Sequence, residues 1–337
     1  AGTAGRELAV AGMFDHYREF LIGQDPRRIE DIHQILYRGQ YFEGGTVVTA
    51  AVSAIDIALW DIRGKEAGKP IHLLMGGAFR STVRAYATGL YYHEKDLTDP
   101  VGAVSSVQEE ACRHRDAGFS AIKGKIGLLA VQDDIRRMAA AREAVGDEFL
   151  LMTDANHGYN RHTARTVGRA LHELGFYWFE EPLVPEDIEG LASLRQELEI
   201  AIAAGECEYT RYGMLDLLRS QAVDILQPDI SACGGLSEGQ KIVALASSHQ
   251  TPVCLHVWGS GISVAAALQL TAAIPPMSHT ARPRAPENEP LFEFDRTRNP
   301  LRDDLIAGGF NLEVDQLRIP QGHGLGVEID EYVLKHH

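Results

Sequence analysis

The sequence predicts an α/β fold, a modified (β/α)-barrel of the TIM type with (β/α)7β topology. From residue 83 onward, short β-rich runs alternate with amphipathic helical segments, the pattern of βα units around a parallel sheet. Eight such runs begin 23 to 39 residues apart, and most intervals hold one helix of ordinary length. Polar residues recur where these runs end, which is where such barrels carry their chemistry.

Each predicted strand is a short run rich in apolar residues. The eight strands cover residues 83–88, 121–126, 150–155, 177–182, 201–206, 224–229, 252–257 and 291–295. Intervening segments such as DDIRRMAAAREAVG have apolar residues at helical spacing. Because single helices separate most of the strands, a closed barrel over residues 83–299 is favoured over a doubly wound sheet.

The two ends of the chain are predicted to form a second region outside the barrel. Residues 1–82 are helix-rich, with apolar residues at helical spacing over 14–22, 27–37 and 46–63. Residues 300–337 return to strand and turn signals, and we expect them to pack on the N-terminal helices.

The net charge excludes some classes of partner. The chain has 32 Lys and Arg against 47 Asp and Glu, a formal charge of −15 at pH 7. This charge disfavours binding to nucleic acids and to anionic membranes. Because no apolar run approaches the ~20 residues needed to span a bilayer, and no secretion signal is evident, we expect a cytoplasmic protein.

Cysteine and histidine usage argues against other kinds of site. The four cysteines form no CxxC pair and are too sparse for a disulfide scaffold, so we expect them to be reduced. Zinc-type ligand spacing is absent, and no Ser or Cys nucleophile has a supporting triad. Four histidines are interpreted as structural, namely His157, His249, His279 and His323.

Three carboxylates at predicted strand ends suggest a metal site. Asp154, Glu180 and Glu206 lie 26 residues apart in succession, one for each βα unit. If their strands are neighbours, the side chains converge as hard oxygen ligands, which suit Mg²⁺. For any one of these carboxylates, a role as a helix cap or a surface group is an equally good explanation. The metal site is favoured because all three occur at the same position in successive βα units.

Two lysines and a histidine are the candidate proton-transfer groups. Lys123 and Lys125 are two residues apart on a strand, so both point into the barrel mouth. Two close ammonium groups lower each other's pKa, towards the range of roughly 7 to 8 in which a lysine acts as a base. Asp229 and His256 end adjacent strands, where the carboxylate can hold the imidazole in one tautomer. The alternatives are solvated lysines and a structural histidine.

Three further residues are candidates for substrate binding. Asn156 follows the third strand and Glu293 lies on the eighth. Trp258 follows the seventh strand, in a Trp-Gly-Ser-Gly stretch that can present backbone N–H groups to an anion. An ordinary βα turn explains that stretch equally well.

An ordered set of motifs resembles the enolase superfamily, and specifically its mandelate racemase group, over nearly the whole chain. In sequence order, the motifs are IDIALWDIRGK, LLMGG, KGK, TDAN, WFEEP, GE, DILQPDIS with CGG, HVWG and FEFDRTRNPLRD. The combination of RAYATG, DANHGY, RYGM, AVDILQPDI, HVWGSG and EFDRTRNP is similar to galactarolactone cycloisomerases and related acid-sugar enzymes.

This resemblance implies a role for each candidate residue. Asp154, Glu180 and Glu206 would bind Mg²⁺, and Lys125 would be a base with Lys123 beside it. His256, paired with Asp229, would act on the opposite face of the substrate, and Glu293 would contact the substrate. Residues 1–82, with the C-terminal tail, would form an α+β capping domain that lacks its first strands.

The expected function is Mg²⁺-dependent removal of a proton α to the carboxylate of an acid sugar or its lactone. An enediolate would form, and β-elimination would give a 3-deoxy-2-keto acid. The expected partners are a small-molecule carboxylate and further copies of the chain. A racemase or epimerase is the alternative reaction, and a barrel that binds an acid sugar without turning it over is the alternative class.

Overall fold

A computed structural model describes residues 6–39, 41, 44–277 and 285–336 of the chain, so His279 lies outside the described residues. The strands are β1 (Thr82–Gly89), β2 (Ala121–Lys125), β3 (Leu150–Asp154), β4 (Trp178–Glu180), β5 (Ala201–Ala204), β6 (Ile225–Leu226), β7 (Phe292–Asp295), β8 (Leu312–Glu313) and β9 (Gln316–Arg318). Every helix in this part of the chain is too short or too polar to cross a bilayer.

The helices of the described residues fall into three groups along the chain. Before the barrel come α1 (Glu7–Leu21), α2 (Ile29–Arg38), α3 (Thr46–Ala67) and α4 (Ile71–Leu74). Within it come α5 (Glu94–Thr98), α6 (Pro100–Asp116), α7 (Val131–Val145), α8 (Arg161–Glu173), α9 (Ile188–Glu197), α10 (Thr210–Arg219), α11 (Gly235–Ser248) and α12 (Gly261–Ala273). After it come α13 (Pro300–Asp303) and α14 (Glu331–His336).

The predicted (β/α)7β barrel is confirmed. Strands β1 to β6 pair in parallel in sequence order, and β7 pairs in parallel with β1. The prediction of a full seventh strand over 252–257 is wrong in extent, because this segment forms only isolated bridges, from Val253 to Leu226 of β6 and from His256 to Asp229 just beyond β6.

The inward face of the barrel changes from apolar to charged along the strands. Successive side chains of a strand point to opposite faces. On β3, Met152 lies in the buried floor of the barrel and Asp154, two residues later, lies at the mouth. On β4 the same step runs from Trp178 to Glu180. Phe179, between them, packs in the outer core beneath the helices.

The N-terminal helices pack against one side of the barrel through α3 and α11. Trp60 donates a hydrogen bond to the Ser237 hydroxyl at 2.9 Å. The start of α11 approaches α3 so closely that a Cβ on Gly235 would lie 2.4 Å from a carboxylate oxygen of Asp56. Only glycine fits at this position, where φ is also +84°. This close approach is the physical reason for the second glycine of the CGG motif.

The C-terminal tail contacts both the barrel and the N-terminal helices. Strand β9 pairs antiparallel with β1 outside the parallel ring. The backbone N–H of Leu325 donates to Asp61 on α3 at 2.8 Å. The domain boundaries at residues 82 and 299 stay a prediction.

Asp56 gives the fold a testable dependence on pH. Burial raises the pKa of Asp56 from 3.8 to about 7, although the Ser237 hydrogen bonds lower it. Between about pH 4 and about pH 7, the Asp56 carboxyl group is therefore protonated in the folded chain and ionised in the unfolded chain. In this window the carboxyl group favours folding less as the pH rises. The whole effect is at most about 4 kcal/mol for a shift of roughly three pKa units.

We expect Asp56→Asn to remove this dependence. Urea unfolding at several pH values would measure it as the difference in free energy of unfolding between the variant and the wild type. The free energy of unfolding of the variant should increase relative to that of the wild type as the pH rises from about 4 to about 7. A difference that stays constant across the window would contradict the raised pKa.

Candidate active site

The three predicted metal-ligand carboxylates meet at the barrel mouth. Asp154 and Glu180 are the last residues of β3 and β4, and Glu206 follows β5 by two residues. One ligand oxygen from each lies within 4.8 Å of the others. The parallel register brings them together, since Asp154 pairs with Glu180 across neighbouring strands. Three convergent carboxylates are a donor set that suits a hard divalent cation.

The electrostatics of these carboxylates also fit a cation. Burial raises the pKa of Glu180 to about 7, against the opposing effect of the Lys123 ammonium group. Burial likewise raises the pKa of Glu206 well above its usual range. Oε2 of Glu206 is buried and has no hydrogen-bond partner among the described residues. Bound divalent charge would offset the cost of ionising these groups together.

The two lysines of β2 differ in exposure and in the groups that they contact. The Lys123 side chain is 1% exposed, and its Nζ lies 2.5 Å from Glu180 and 2.8 Å from Glu293. The Lys125 side chain is 17% exposed, contacts Asp154, and donates to Asn156 Oδ1 at 2.8 Å. Only Lys125 of the pair lines the cavity above the carboxylates. Lys123 therefore holds carboxylates in place, and Lys125 is available to a ligand.

Lys123 lowers the pKa of Lys125, as expected, but the net pKa of both lysines is raised rather than lowered towards roughly 7 to 8. Burial lowers the pKa of Lys125, and Lys123 lowers it further, but Asp154 and the neighbouring glutamates outweigh them and raise it. The pKa of Lys123 is likewise raised, by Glu180 and Glu293 against the effect of burial. The carboxylates that surround the two ammonium groups come from other strands, so the spacing of Lys123 and Lys125 in the sequence does not reveal them.

His256 and Asp229 form the predicted pair. Nδ1 of His256 lies 2.8 Å from Asp229 Oδ2, and Nε2 lies 3.3 Å from Glu206. Asp229 in turn accepts a hydrogen bond from the Ser231 backbone N–H at 2.6 Å. Burial lowers the pKa of His256, but Glu206 and Asp229 raise it well above its usual range. Asp229 thus orients the imidazole, and the surrounding carboxylates favour its protonated form.

A cavity of about 570 Å³ lies over these groups. The three predicted substrate-binding residues, Asn156, Trp258 and Glu293, all line it. Glu293 is fixed by the Thr88 hydroxyl at 2.6 Å and by the Val257 backbone N–H at 2.9 Å. The cavity is therefore lined both by ionisable side chains, such as Lys125 and His256, and by aromatic side chains, such as Trp258.

Sequence reasoning missed several residues of the cavity wall. Tyr91 and Tyr92 follow β1, and Tyr209 follows β5. Tyr92 donates to the buried carboxylate of Asp134, which also accepts a hydrogen bond from Tyr159 at 3.0 Å. The signal that could have found Tyr91 and Tyr92 is their position directly after the end of the first barrel strand.

Comparison with known proteins identifies the family. The model for the mandelate racemase / muconate lactonizing enzyme N-terminal domain matches residues 1–76, and the model described as enolase C-terminal domain-like matches residues 106–333. The chain is 45% identical to D-galactarolactone cycloisomerase of Agrobacterium fabrum, over 96% of this chain and 83% of that protein. It is 35% identical to arabinonate dehydratase of Saccharolobus solfataricus, over 94% of this chain and 80% of that protein.

Solved structures agree with this grouping. The 3,6-anhydro-D-galactonate cycloisomerase from Zobellia galactanivorans superposes with a TM-score of 0.89 at 37% identity, covering 100% of this chain and 88% of that one. A dehydratase-type protein from Salmonella enterica serovar Typhimurium gives a TM-score of 0.88 at 30% identity, with coverages of 100% and 87%. The chain therefore belongs to the mandelate racemase / muconate lactonizing enzyme family of the enolase superfamily, whose lyases and isomerases use a divalent metal ion.

Proposed function

We propose that this protein removes the proton α to the carboxylate of an acid sugar, or of its lactone, and then expels the oxygen at the β position. The observation that carries the proposal is the placement of Lys125 and the His256–Asp229 pair in one cavity, beside a trio of carboxylates. The relatives named above are a galactarolactone cycloisomerase and an arabinonate dehydratase, which supports acid sugars as the substrate class.

A divalent ion would be held by Asp154, Glu180 and Glu206, and we propose that it is Mg²⁺ because all three ligands are hard oxygens. When bound, this ion would supply positive charge that stabilises the enediolate and lowers the pKa of Lys125. Lys123 would keep Glu180 and Glu293 in place through its two short contacts.

The reaction needs one group that takes a proton and one that gives a proton. Either Lys125 or His256 would accept the α-proton as the C–H bond breaks, and the electron pair would enter the enediolate. Collapse of the enediolate would break the C–O bond at the β position. In a dehydratase, the other group would protonate the oxygen, which leaves as water. In a lactone, the ring oxygen would leave as a carboxylate. The enol product would then become the 2-keto acid.

A racemase or epimerase would use the same two groups, with reprotonation in place of elimination. The relatives named above do not favour this alternative. The two reactions differ in D₂O, since an epimerase would exchange the α-proton for deuterium without any keto product.

A screen of aldarates, aldonates and their lactones with Mg²⁺ would test the proposal. We expect at least one member of the library to give a 2-keto acid, detected as its semicarbazone. The matched control is His256→Asn, which keeps an amide near Asp229 but cannot exchange a proton. Absence of keto product across the library would contradict the proposal, and deuterium exchange alone would support the epimerase.

A further inference from the structure

A second group of metal-ligand side chains lies beside the carboxylate trio, and the proposed reaction does not use it. It consists of His157, Glu181 and Cys207, and one ligand atom of each lies within 4.8 Å of the others. Each residue follows the same strand end as one of the carboxylates, after β3, β4 and β5. The barrel thus places a second trio next to the carboxylate trio. In the sequence, His157 is interpreted as a structural residue.

The Glu181 carboxylate is buried in the middle of this group. The residue is 3% exposed, and its Oε2 has no hydrogen-bond partner in the described part of the chain. His157 Nε2 approaches this oxygen to 2.7 Å, an ion-pair distance, without the geometry of a hydrogen bond. This ion pair offsets part of the cost of burying the carboxylate. A divalent ion bound to both side chains would replace the ion pair, and the nitrogen and oxygen would move apart to roughly 3.3 Å, the spacing of two bonds of about 2.0 Å in a tetrahedral site.

The ligand types differ from those of the carboxylate trio. A thiolate, an imidazole and a carboxylate suit zinc-like, thiophilic ions better than Mg²⁺. In a tetrahedral zinc site, bonds of about 2.0 Å to nitrogen and about 2.3 Å to sulfur put the two ligand atoms roughly 3.5 Å apart. His157 Nε2 and Cys207 Sγ are 3.7 Å apart. Cys207 also lines the main cavity, so an ion can reach it from that side.

We propose that His157, Glu181 and Cys207 form a second cation site, for thiophilic divalent ions such as Zn²⁺ and Cd²⁺. On binding, the Cys207 thiol loses its proton to solvent and Sγ bonds to the ion. His157 Nε2 loses to solvent the proton that pairs it with Glu181. Nε2 and a Glu181 oxygen then supply two further bonds, and water completes the shell. The proposal does not depend on the proposed reaction, because it concerns different side chains and a different class of ion.

Titration of the full chain with Cd²⁺ in saturating Mg²⁺ would test this site. We expect the ultraviolet charge-transfer band of a cadmium–thiolate bond to saturate at one equivalent. Cys207→Ser should abolish the band. Cys112→Ser is the matched control, since Cys112 is also partly exposed, and it should leave the band unchanged. His157→Asn should weaken the apparent affinity by about tenfold or more. Circular dichroism would verify that each variant is folded.

The outcomes separate this site from the carboxylate trio. A band that survives Asp154→Asn supports a distinct site. The proposal is overturned by the absence of a band in the wild type, by a band that persists in Cys207→Ser, or by a band that is lost in Cys112→Ser or in Asp154→Asn.

Discussion

Lys125→Ala should abolish turnover, with a fall in kcat/KM of roughly 10²- to 10⁴-fold, the usual contribution of a positioned acid or base. Lys125 is the lysine of β2 that lines the cavity, and its Nζ contacts Asp154 and Asn156. Removing it takes away a proton acceptor and a positive charge next to the place where the enediolate forms. Steady-state kinetics on the substrate found in the screen would measure the loss.

Two further variants make the Lys125 result specific. Lys125→Arg keeps the positive charge but is not a base at neutral pH, so it should remain nearly as inactive as the alanine variant. Lys241→Ala removes a lysine on α11 that pairs with Glu30 at 2.7 Å, outside the cavity, and should keep full activity. The fold and the Mg²⁺ affinity of Lys125→Ala should be retained. A kcat/KM of that variant within about tenfold of the wild-type value would refute the assignment of Lys125 as a base.

Removal of divalent ions should abolish turnover and lower the Tm. The free protein gathers three carboxylates at the barrel mouth, two of which have raised pKa values. A bound ion offsets their mutual repulsion and their desolvation. An ion at 100 times its Kd stabilises the folded state by about 2.7 kcal/mol. Thermal unfolding with EDTA and with increasing Mg²⁺ would measure the shift, and added Mg²⁺ should restore activity.

Two glutamates that are two positions apart provide the control for this result. Glu206→Gln removes one ligand oxygen of the trio, so it should lose the Mg²⁺-dependent rise in Tm and the activity together. Glu208→Gln changes a partly buried carboxyl group nearby that is not in the trio, and should keep both. Equal Mg²⁺ responses in the two variants would place the metal elsewhere.

The strand pattern and the main site could be predicted because both follow from short-range periodicity. On a strand, alternate residues share a face, so Met152 and Asp154 had to lie on one side and Leu151 on the other. Parallel strands of similar length end at one edge, so polar residues in the same phase meet there. From these two rules, Asp154, Glu180 and Glu206 are expected to meet at the barrel mouth.

Other features depend on contacts between residues that are distant in the sequence. Local periodicity in the sequence does not reveal such contacts. The protonation of Lys123 and Lys125 is one example, since it depends on carboxylates from three other strands. The second trio is another. Glu181 appeared only as the partner of Glu180 in a motif, and His157 as a structural histidine. Neither position has a periodic signal, because each lies in a loop just beyond its strand.

The sequence by itself determined the barrel, the order of its strands and which side chains face its mouth, because alternation along a strand and the length of each βα unit are local properties. The tertiary structure decided which of the two lysines is open to the cavity, which carboxyl groups are raised in pKa, and which loop residues form its walls. Those properties come from burial and from charges brought together across the ring. Residues such as Lys125 and Glu206 are 81 positions apart in the chain and share one cavity only after folding.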